Sequence, residues 1–172
     1  MIGGTLDVDK SLTLSGALTQ SGSITIDVTA GEVLTYSGAA LSLDNNTLTL
    51  SGEGRLSNSY PLVLNNASSK LLLSNSITVD SVRTSHANSG LDVDANSTVS
   101  SLTVGHTTPV SIASSKTLSG AITVSAGSIK LDEAGELAST ISMSGGELDA
   151  DNSSTLSAVS YTHLTLPTNR EV

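Results

Sequence analysis

The feature that most constrains the fold is a short recurring string: an apolar residue, any residue, an apolar residue and then, most often, Asp or Asn. The strings are LDVD from Leu6, ITID from Ile24, LSLD from Leu41, LVLN from Leu62, LDVD from Leu91, VSIA from Val110, IKLD from Ile129 and LDAD from Leu148. Most of them begin roughly 19 residues apart, and the longest interval separates Leu62 from Leu91. Such self-similarity is typical of a solenoid, in which each unit buries its apolar face against its neighbours.

Each string is followed by a few turn-forming residues and a second apolar segment. These segments include SLTL from Ser11, TLTL from Thr47, KLLL from Lys70 and KTLSG from Lys116. A unit therefore reads strand, turn, strand, turn. The sequence predicts an all-β fold, a single-stranded parallel β-helix (β-solenoid) of about eight rungs of roughly 19 residues, which occupies residues 1–158.

The alternation of side chains along a strand predicts which residues face the core. We expect inward columns that stack from rung to rung at Leu91, Val93, Val110, Ile112, Ile129 and Leu131. The Asp or Asn that closes a string suits a corner, because a short polar side chain bonds nearby backbone and tolerates a left-handed conformation. The residues of this kind are Asp9, Asp27, Asp44, Asn65, Asp94 and Asp132.

The core of this chain must be aliphatic. The sequence contains no Phe, no Trp and three Tyr, while Ser and Thr together make up roughly three in ten residues. A β-sandwich of this size usually fills the space between its sheets with large aromatic side chains. The composition therefore favours a narrower interior of stacked Leu, Ile, Val and Ala.

Charge disfavours two classes of partner, and the lack of cysteine excludes some kinds of chemistry. The formal net charge is −9 and only seven residues are Lys or Arg, so nucleic acid and anionic membrane are disfavoured as partners. The absence of cysteine excludes disulfides and thiolate chemistry. No apolar run approaches the length of a membrane span, and the first residues lack the pattern of a secretory signal. We expect no cofactor.

The phrases GTLDV, GSITI, TLTLSG and SGGELDA resemble the right-handed parallel β-helices of bacterial surface and secreted proteins. These include autotransporter passenger domains and filamentous-haemagglutinin-like adhesins. The resemblance implies an extracellular or cell-surface location and a structural or adhesive rod, with a host surface or an extracellular polysaccharide as partner. It carries over no catalytic residue. The chain begins on the strand-like GGTLDV without a polar cap, so we also expect residues 1–158 to be a fragment of a longer solenoid that self-associates or frays at its first rung when isolated.

An alternative function keeps the same fold. Many β-helix proteins cleave polysaccharides, so the chain could be the scaffold portion of a polysaccharide-active enzyme or of a phage tailspike. The carboxylates that could pair cluster at one turn beside a lysine, at Lys130, Asp132, Glu133 and Glu136. Because the repeats offer only two tyrosines as platforms for sugar rings, we expect no catalysis in this segment.

The longest interval between strings is a candidate interaction site. It contains an extra ITVD from Ile77 and then SVRTSHANSG, residues 81–90. We predict an additional strand followed by a protruding loop, because loops on a rigid scaffold carry function disproportionately. Arg83 and His86 are its distinctive side chains. The alternative is an insertion that a solenoid corner tolerates.

A second candidate site is a weak calcium site. Asp92, Asp94 and Asn96 are spaced like the first ligands of an EF-hand loop. The motif then fails, because Ser97 takes the place of its glycine and Thr103 the place of its final glutamate. Weak calcium binding and ordinary turn chemistry both remain open.

The last fourteen residues, VSYTHLTLPTNREV, differ from everything before them. Residues 159–168 can be written as GTC TCT TAT ACA CAT CTG ACG CTG CCG ACG, which resembles the transposon-end adapter of tagmentation sequencing libraries. The resemblance implies that residues 159–172 are a non-native tail, as in a metagenomic fragment, and that they are disordered or paired only opportunistically. The alternative is a C-terminal cap built by Tyr161, Leu164 and Leu166. The encoding DNA distinguishes the two.

Overall fold

The computed structural model describes residues 3–151 and 153–157, and the backbone of residues 159–161. In these residues the chain forms strands and turns, and no helix long and apolar enough to cross a membrane is present among them. The strands are β1 (Gly4–Val8), β2 (Leu12–Leu14), β3 (Ile24–Val28), β4 (Val33–Tyr36), β5 (Thr47–Gly52), β6 (Arg55–Asn58), β7 (Leu62–Leu64), β8 (Lys70–Leu73), β9 (Thr78–Thr84), β10 (Gly90–Val93), β11 (Ser97–Val104), β12 (Pro109–Ile112), β13 (Thr117–Val124), β14 (Ser128–Leu131), β15 (Glu136–Met143), β16 (Glu147–Ala150), β17 (Thr155–Leu156) and β18 (Val159–Tyr161).

The described strands pair in parallel, each with a strand of the next rung. One sheet has eight strands in the order β1-β3-β5-β8-β10-β12-β14-β16. The second sheet has the order β17-β15-β13-β11-β9-β6-β4-β2, and β7 and β18 join it beside β9 and β15. The predicted fold is confirmed: the chain is an all-β solenoid of about eight parallel rungs.

From the third rung onward, each rung contains three strand runs rather than the predicted two. The first half of β9 pairs with β6 (Val79 with Leu56), while its second half pairs with β7 (Val82 with Leu62). In β11 the pairing register shifts between Val99 and Ser101, where the strand passes from one run to the next. We call the eight-stranded sheet the first face. The second face is β2, β4, β6, β17 and the first halves of β9, β11, β13 and β15; the third face is β7, β18 and the second halves of those four long strands.

The sequence assigned two of the strings to the wrong face. LSLD from Leu41 and LVLN from Leu62 lie on the third face, where Ser42 bridges to Val63. The corresponding first-face strands are TLTL and KLLL, which the sequence assigned to second segments. An inward run on any face shows the same apolar alternation, so periodicity alone does not identify the face.

The correct register removes the long, irregular interval between Leu62 and Leu91. On the first face, Ile24 pairs with Leu48, Leu48 with Leu71, and Leu71 with Leu91. The number of residues between paired positions is largest from Ile24 to Leu48, and it differs only modestly among the three pairs. The differences in length arise in the corners between faces, where added residues do not disturb the pairing of strands.

The predicted inward columns are confirmed. All six predicted residues have 0% exposed surface, namely Leu91, Val93, Val110, Ile112, Ile129 and Leu131. The other faces add equivalent aliphatic columns, such as Leu62, Val82, Leu102, Ile122 and Ile141 on the third face. Tyr36 is the aromatic residue of the described core, and its hydroxyl accepts a hydrogen bond of 3.1 Å from the Leu18 N–H.

The predicted corner residues divide into two groups. Four residues directly follow strands, as expected, namely Asp9, Asn65, Asp94 and Asp132, and Asp44 has a left-handed φ of 35°. Asp27, in contrast, lies inside β3, where its carboxylate accepts a hydrogen bond from the Ser51 hydroxyl of the next rung. A short acid can therefore link rungs on a flat face as well as close a corner.

Substitution of Ile112 tests the inward register. Ile112→Asp places an unpaired carboxylate in the aliphatic stack, so we expect the free energy of unfolding to fall by about 4 kcal/mol or more. The adjacent Ser111 faces outward, and Ser111→Asp should change it by less than about 1 kcal/mol. Equal effects of the two variants in chemical denaturation would contradict the register.

Gly120 provides a test of the close approach between rungs. It lies where β13 bends, with φ +127°, and a Cβ atom there would lie 1.8 Å from the Val99 carbonyl oxygen. Gly120→Ala should therefore cost about 2 kcal/mol or more. At Gly90 an added Cβ meets nothing within 4 Å, so Gly90→Ala is the matched control and should leave the denaturation midpoint nearly unchanged.

Candidate functional site

The predicted strand in the long interval is present, but the protruding loop is not. Residues 81–84 continue β9, and only residues 85–89 form a turn before β10 begins at Gly90. The protruding shape was wrongly predicted because the long interval came from the misassigned strings, while an interaction role for Arg83 and His86 stays a prediction. The region is a regular rung of the solenoid.

Arg83 lies in the third-face half of β9, where its pairing neighbours are Val63 and Thr103. Its side chain is exposed, and within the described part of the chain it makes no ion pair or hydrogen bond. Arg55, on the second face, is paired instead: its guanidinium lies 2.7 Å from Asp80. The Arg83 guanidinium therefore faces solvent and does not link neighbouring rungs.

His86 lies at the turn and acts there mainly through its backbone. Its carbonyl oxygen accepts hydrogen bonds from the hydroxyls of Ser89 (2.7 Å) and Thr108 (2.6 Å). Both hydroxyl residues are buried, and their side chains lie 3.3 Å apart. The His86 ring is half-buried, and its Nδ1 accepts a weak bond of 3.4 Å from the Asn88 N–H. The structure therefore gives His86 a place in a corner and does not bring its ring to Arg83.

A shallow cleft of about 360 Å³ lies at this corner, between the third and first faces. It is lined by Ala67, Ser68, Ser69, Lys70, Asn88, Ser89, Gly90, Asp92 and Pro109. An ion pair between Lys70 and Asp92, 2.5 Å long, links two of the rungs that line the cleft. The cleft is polar and holds one charge of each sign, so it could offer hydrogen bonds to a neutral polar ligand.

Two of the three calcium candidates already have partners within the chain. Asp92 pairs with Lys70, and the Asn96 Oδ1 accepts a hydrogen bond of 3.0 Å from the Thr117 N–H of the next rung. Asp94 follows the end of β10 and is exposed. Within the part of the chain that the structure describes, no three His, Cys, Asp or Glu side chains form a metal-binding group. Calcium binding at these residues stays a prediction.

The acidic turn considered for catalysis connects rungs. Lys130 lies 3.0 Å from Asp132 and 3.9 Å from Asp151. The hydrogen bond and the charge of Asp132 raise the pKa of Lys130, and the charge of Asp151 adds to this. Glu136 accepts hydrogen bonds from the Thr117 and Ser157 hydroxyls on either side of its rung. These contacts hold neighbouring rungs together.

The sequence missed two columns of hydroxyls on the third face. One column aligns Ser81, Ser101, Ala121 and Thr140, so that one alanine interrupts its hydroxyls. The neighbouring column aligns Arg83, Thr103, Thr123 and Ser142. The strings involved, SVRT, SLTV, AITV and TISM, carry the pattern, but the face to which they belong is visible only in the structure. Arg83 is the charged residue of this hydroxyl surface, which we define as the outward residues 81, 83, 101, 103, 121, 123, 140 and 142.

Comparison of the chain with protein-family models, with curated proteins and with solved structures finds no match in any of the three.

The Lys70–Asp92 pair makes a prediction about pH. The hydrogen bond and the charge of Asp92 raise the pKa of Lys70, burial lowers it by less, and the charge of Asp94 makes the smallest contribution, which is upward. A raised lysine pKa stabilises the fold below its unfolded pKa of about 10.4, and this contribution disappears as pH rises through the folded value. Because both side chains are partly exposed, Lys70→Met should cost only about 0–1 kcal/mol at neutral pH.

Chemical denaturation at neutral pH, about pH 9 and about pH 11 measures this contribution. Lys116→Met is the control, because the Lys116 side chain makes no hydrogen bond or ion pair within the described residues. The difference between the Lys70 variant and the parent should be constant up to about pH 9 and shrink by about pH 11. A difference that grows over that range would contradict the assignment.

Proposed function

We propose that this chain is a structural or adhesive rod segment of an exported, cell-surface protein, and that it does not itself catalyse a reaction. The observation that carries the proposal is the continuous aliphatic core that runs through about eight parallel rungs. Each rung contributes the same inward positions and bonds to the next through its backbone, so the architecture is a spacer of repeated units. At about 4.8 Å per rung, eight rungs extend for about 40 Å.

The polar surface supports a rod in a second way. Several acidic side chains that could act as general acids or bases form hydrogen bonds between rungs instead. Asp27 bonds to Ser51, and Asp80 bonds to Arg55 and Ser57. The remaining surface is rich in hydroxyls and carries a net negative charge. A surface of this kind keeps a long, exposed structure soluble without offering a concentrated catalytic site.

The adhesive part of the proposal concerns the hydroxyl surface of the third face. Its Ser and Thr side chains can donate and accept hydrogen bonds, and the free guanidinium of Arg83 adds five donors. Such groups suit an extracellular polysaccharide or the glycans of a host surface, which present many hydroxyls in a repeating order. Single contacts would be weak, and repetition along the rod would add to affinity.

Deletion of one rung tests the rod. Removal of residues 109–127 joins Thr108 to Ser128, which is the register partner of Pro109. We expect this variant to remain folded, because each rung contacts only its neighbours, and to be shorter by about 5 Å in small-angle scattering. Removal of residues 109–118 is the control, since half a rung destroys the register. If the full-rung deletion unfolds as completely as the control, the repeat-rod account is wrong.

A binding and turnover assay separates the rod from its alternative, the scaffold of a polysaccharide-active enzyme or phage tailspike. The purified chain is incubated with a panel of bacterial and host extracellular polysaccharides, and both retention and new reducing ends are measured. We expect retention by at least one polysaccharide, reduced in Arg83→Ala and unchanged in Lys116→Ala, without release of reducing ends. Release of reducing ends would overturn the proposal in favour of the enzyme.

A further inference from the structure

Four strings of the form Asn-x-Ser/Thr occur in the chain, and the repeat does not account for them. Three begin at Asn45 (NNT), Asn66 (NAS) and Asn96 (NST), and the fourth begins at Asn152, outside the described residues. Such a string is the acceptor motif for transfer of a sugar to the asparagine amide. The motif alone does not distinguish among the asparagines, but their hydrogen bonds do.

All three described strings lie at corners of the solenoid. Asn45 and Asn66 occupy the corner between the third and first faces in successive rungs, and Asn96 occupies the corner between the first and second faces. Asn45 and Asn96 are exposed, whereas Asn66 is half-buried. Asn45 also has a left-handed φ of 62°, which places it at the turn itself.

Asn45 and Asn96 use their amide oxygens to bond the next rung. The Asn45 Oδ1 accepts a hydrogen bond of 3.3 Å from the Ser68 N–H, and the Asn96 Oδ1 accepts one of 3.0 Å from the Thr117 N–H. These bonds orient each amide so that its Oδ1 points toward the next rung of the solenoid. The Nδ2 atom of each makes no hydrogen bond within the described residues.

Asn66 has the opposite arrangement. Its Nδ2 donates a hydrogen bond of 2.9 Å to the Asp44 carboxylate of the preceding rung. The same carboxylate accepts a bond of 2.7 Å from the Ser42 hydroxyl, so Asn66 belongs to a polar corner network. A substituent on this nitrogen would have to break the bond to Asp44.

The hydroxyl that the motif requires is also free at the two open sites. The side-chain oxygens of Thr47 and Thr98, two positions after Asn45 and Asn96, make no hydrogen bond in the described part of the structure. The strings at Asn45 and Asn96 therefore each present an unpaired amide nitrogen and an unpaired hydroxyl at a corner.

We propose that Asn45 and Asn96 are N-glycosylation acceptor sites of the folded protein and that Asn66 is not. In the transfer, Nδ2 attacks the anomeric carbon of a sugar donor that carries a diphosphate leaving group. A C–N bond forms, the C–O bond to the diphosphate breaks with its electron pair on the phosphate oxygen, and Nδ2 loses one proton to a base of the transferase. The Oδ1 atom remains an acceptor, so the bond to the next rung survives modification.

The experiment uses the folded, purified chain with Asn152→Gln, which removes the fourth string. It is incubated with a nucleotide-sugar-dependent asparagine glycosyltransferase that modifies peptides containing each of the other three strings. Intact mass and peptide mapping then locate the added sugars. We expect modification at Asn45 and Asn96, with Asn66 modified at least tenfold more slowly in the folded chain than in its peptide. Equal rates at Asn66 in the chain and the peptide, or no transfer to Asn45 and Asn96, would overturn the proposal.

Asp44→Ala tests the reason for the discrimination. It removes the acceptor that holds the Asn66 Nδ2, so modification at Asn66 should increase at least tenfold while that at Asn96 stays the same. If Asn66 remains as slow as before, the hydrogen bond does not control acceptor choice and the proposed discrimination fails. This outcome is independent of whether the protein is exported or acts as a rod, because the transfer is measured on the purified chain.

Discussion

Parallel backbone pairing between successive rungs is the constraint on which the rest of the structure depends. Because the strands are parallel and in register, an inward residue of one rung stacks on an inward residue of the next, as Leu91, Val110 and Ile129 do. No rung can bury these side chains alone, so stability is shared between neighbours. The same pairing aligns outward residues into columns, which creates both the inter-rung hydrogen bonds and the hydroxyl surface.

The hydrogen bonds of polar side chains follow the same register between rungs as the core residues do. Most of the polar contacts join residues about one rung apart, such as Glu32 with Ser11, whose N–H and hydroxyl lie 2.6 and 2.7 Å from its carboxylate. Those hydrogen bonds lower the pKa of Glu32. Where an amide oxygen accepts such a bond, as the Asn96 Oδ1 does, the amide nitrogen remains exposed. Structural bonding at the corners thereby determines which polar atoms remain available to partners.

The sequence predicted the fold, the number of rungs and the inward residues because alternation of apolar side chains is a local property. It did not predict which face a string occupies. LSLD from Leu41 and TLTL from Thr47 have the same pattern, and only the lengths of the corners decide that the second, not the first, lies on the eight-stranded sheet. The protruding loop around Arg83 and His86 was an artefact of that error, and the hydroxyl columns were missed for the same reason.

The rung register is the central claim, and disulfide cross-linking tests it most directly because the chain has no cysteine. Thr25 pairs with Thr49 on the first face, whereas the periodicity of the strings would place Ser42 beside it. Paired positions fall within the Cα separation of about 4.4–6.8 Å that a disulfide requires. The variant with cysteines at 25 and 49 should cross-link on mild oxidation, and the variant with cysteines at 25 and 42 should not. Cross-linking of the second variant but not the first would contradict the register.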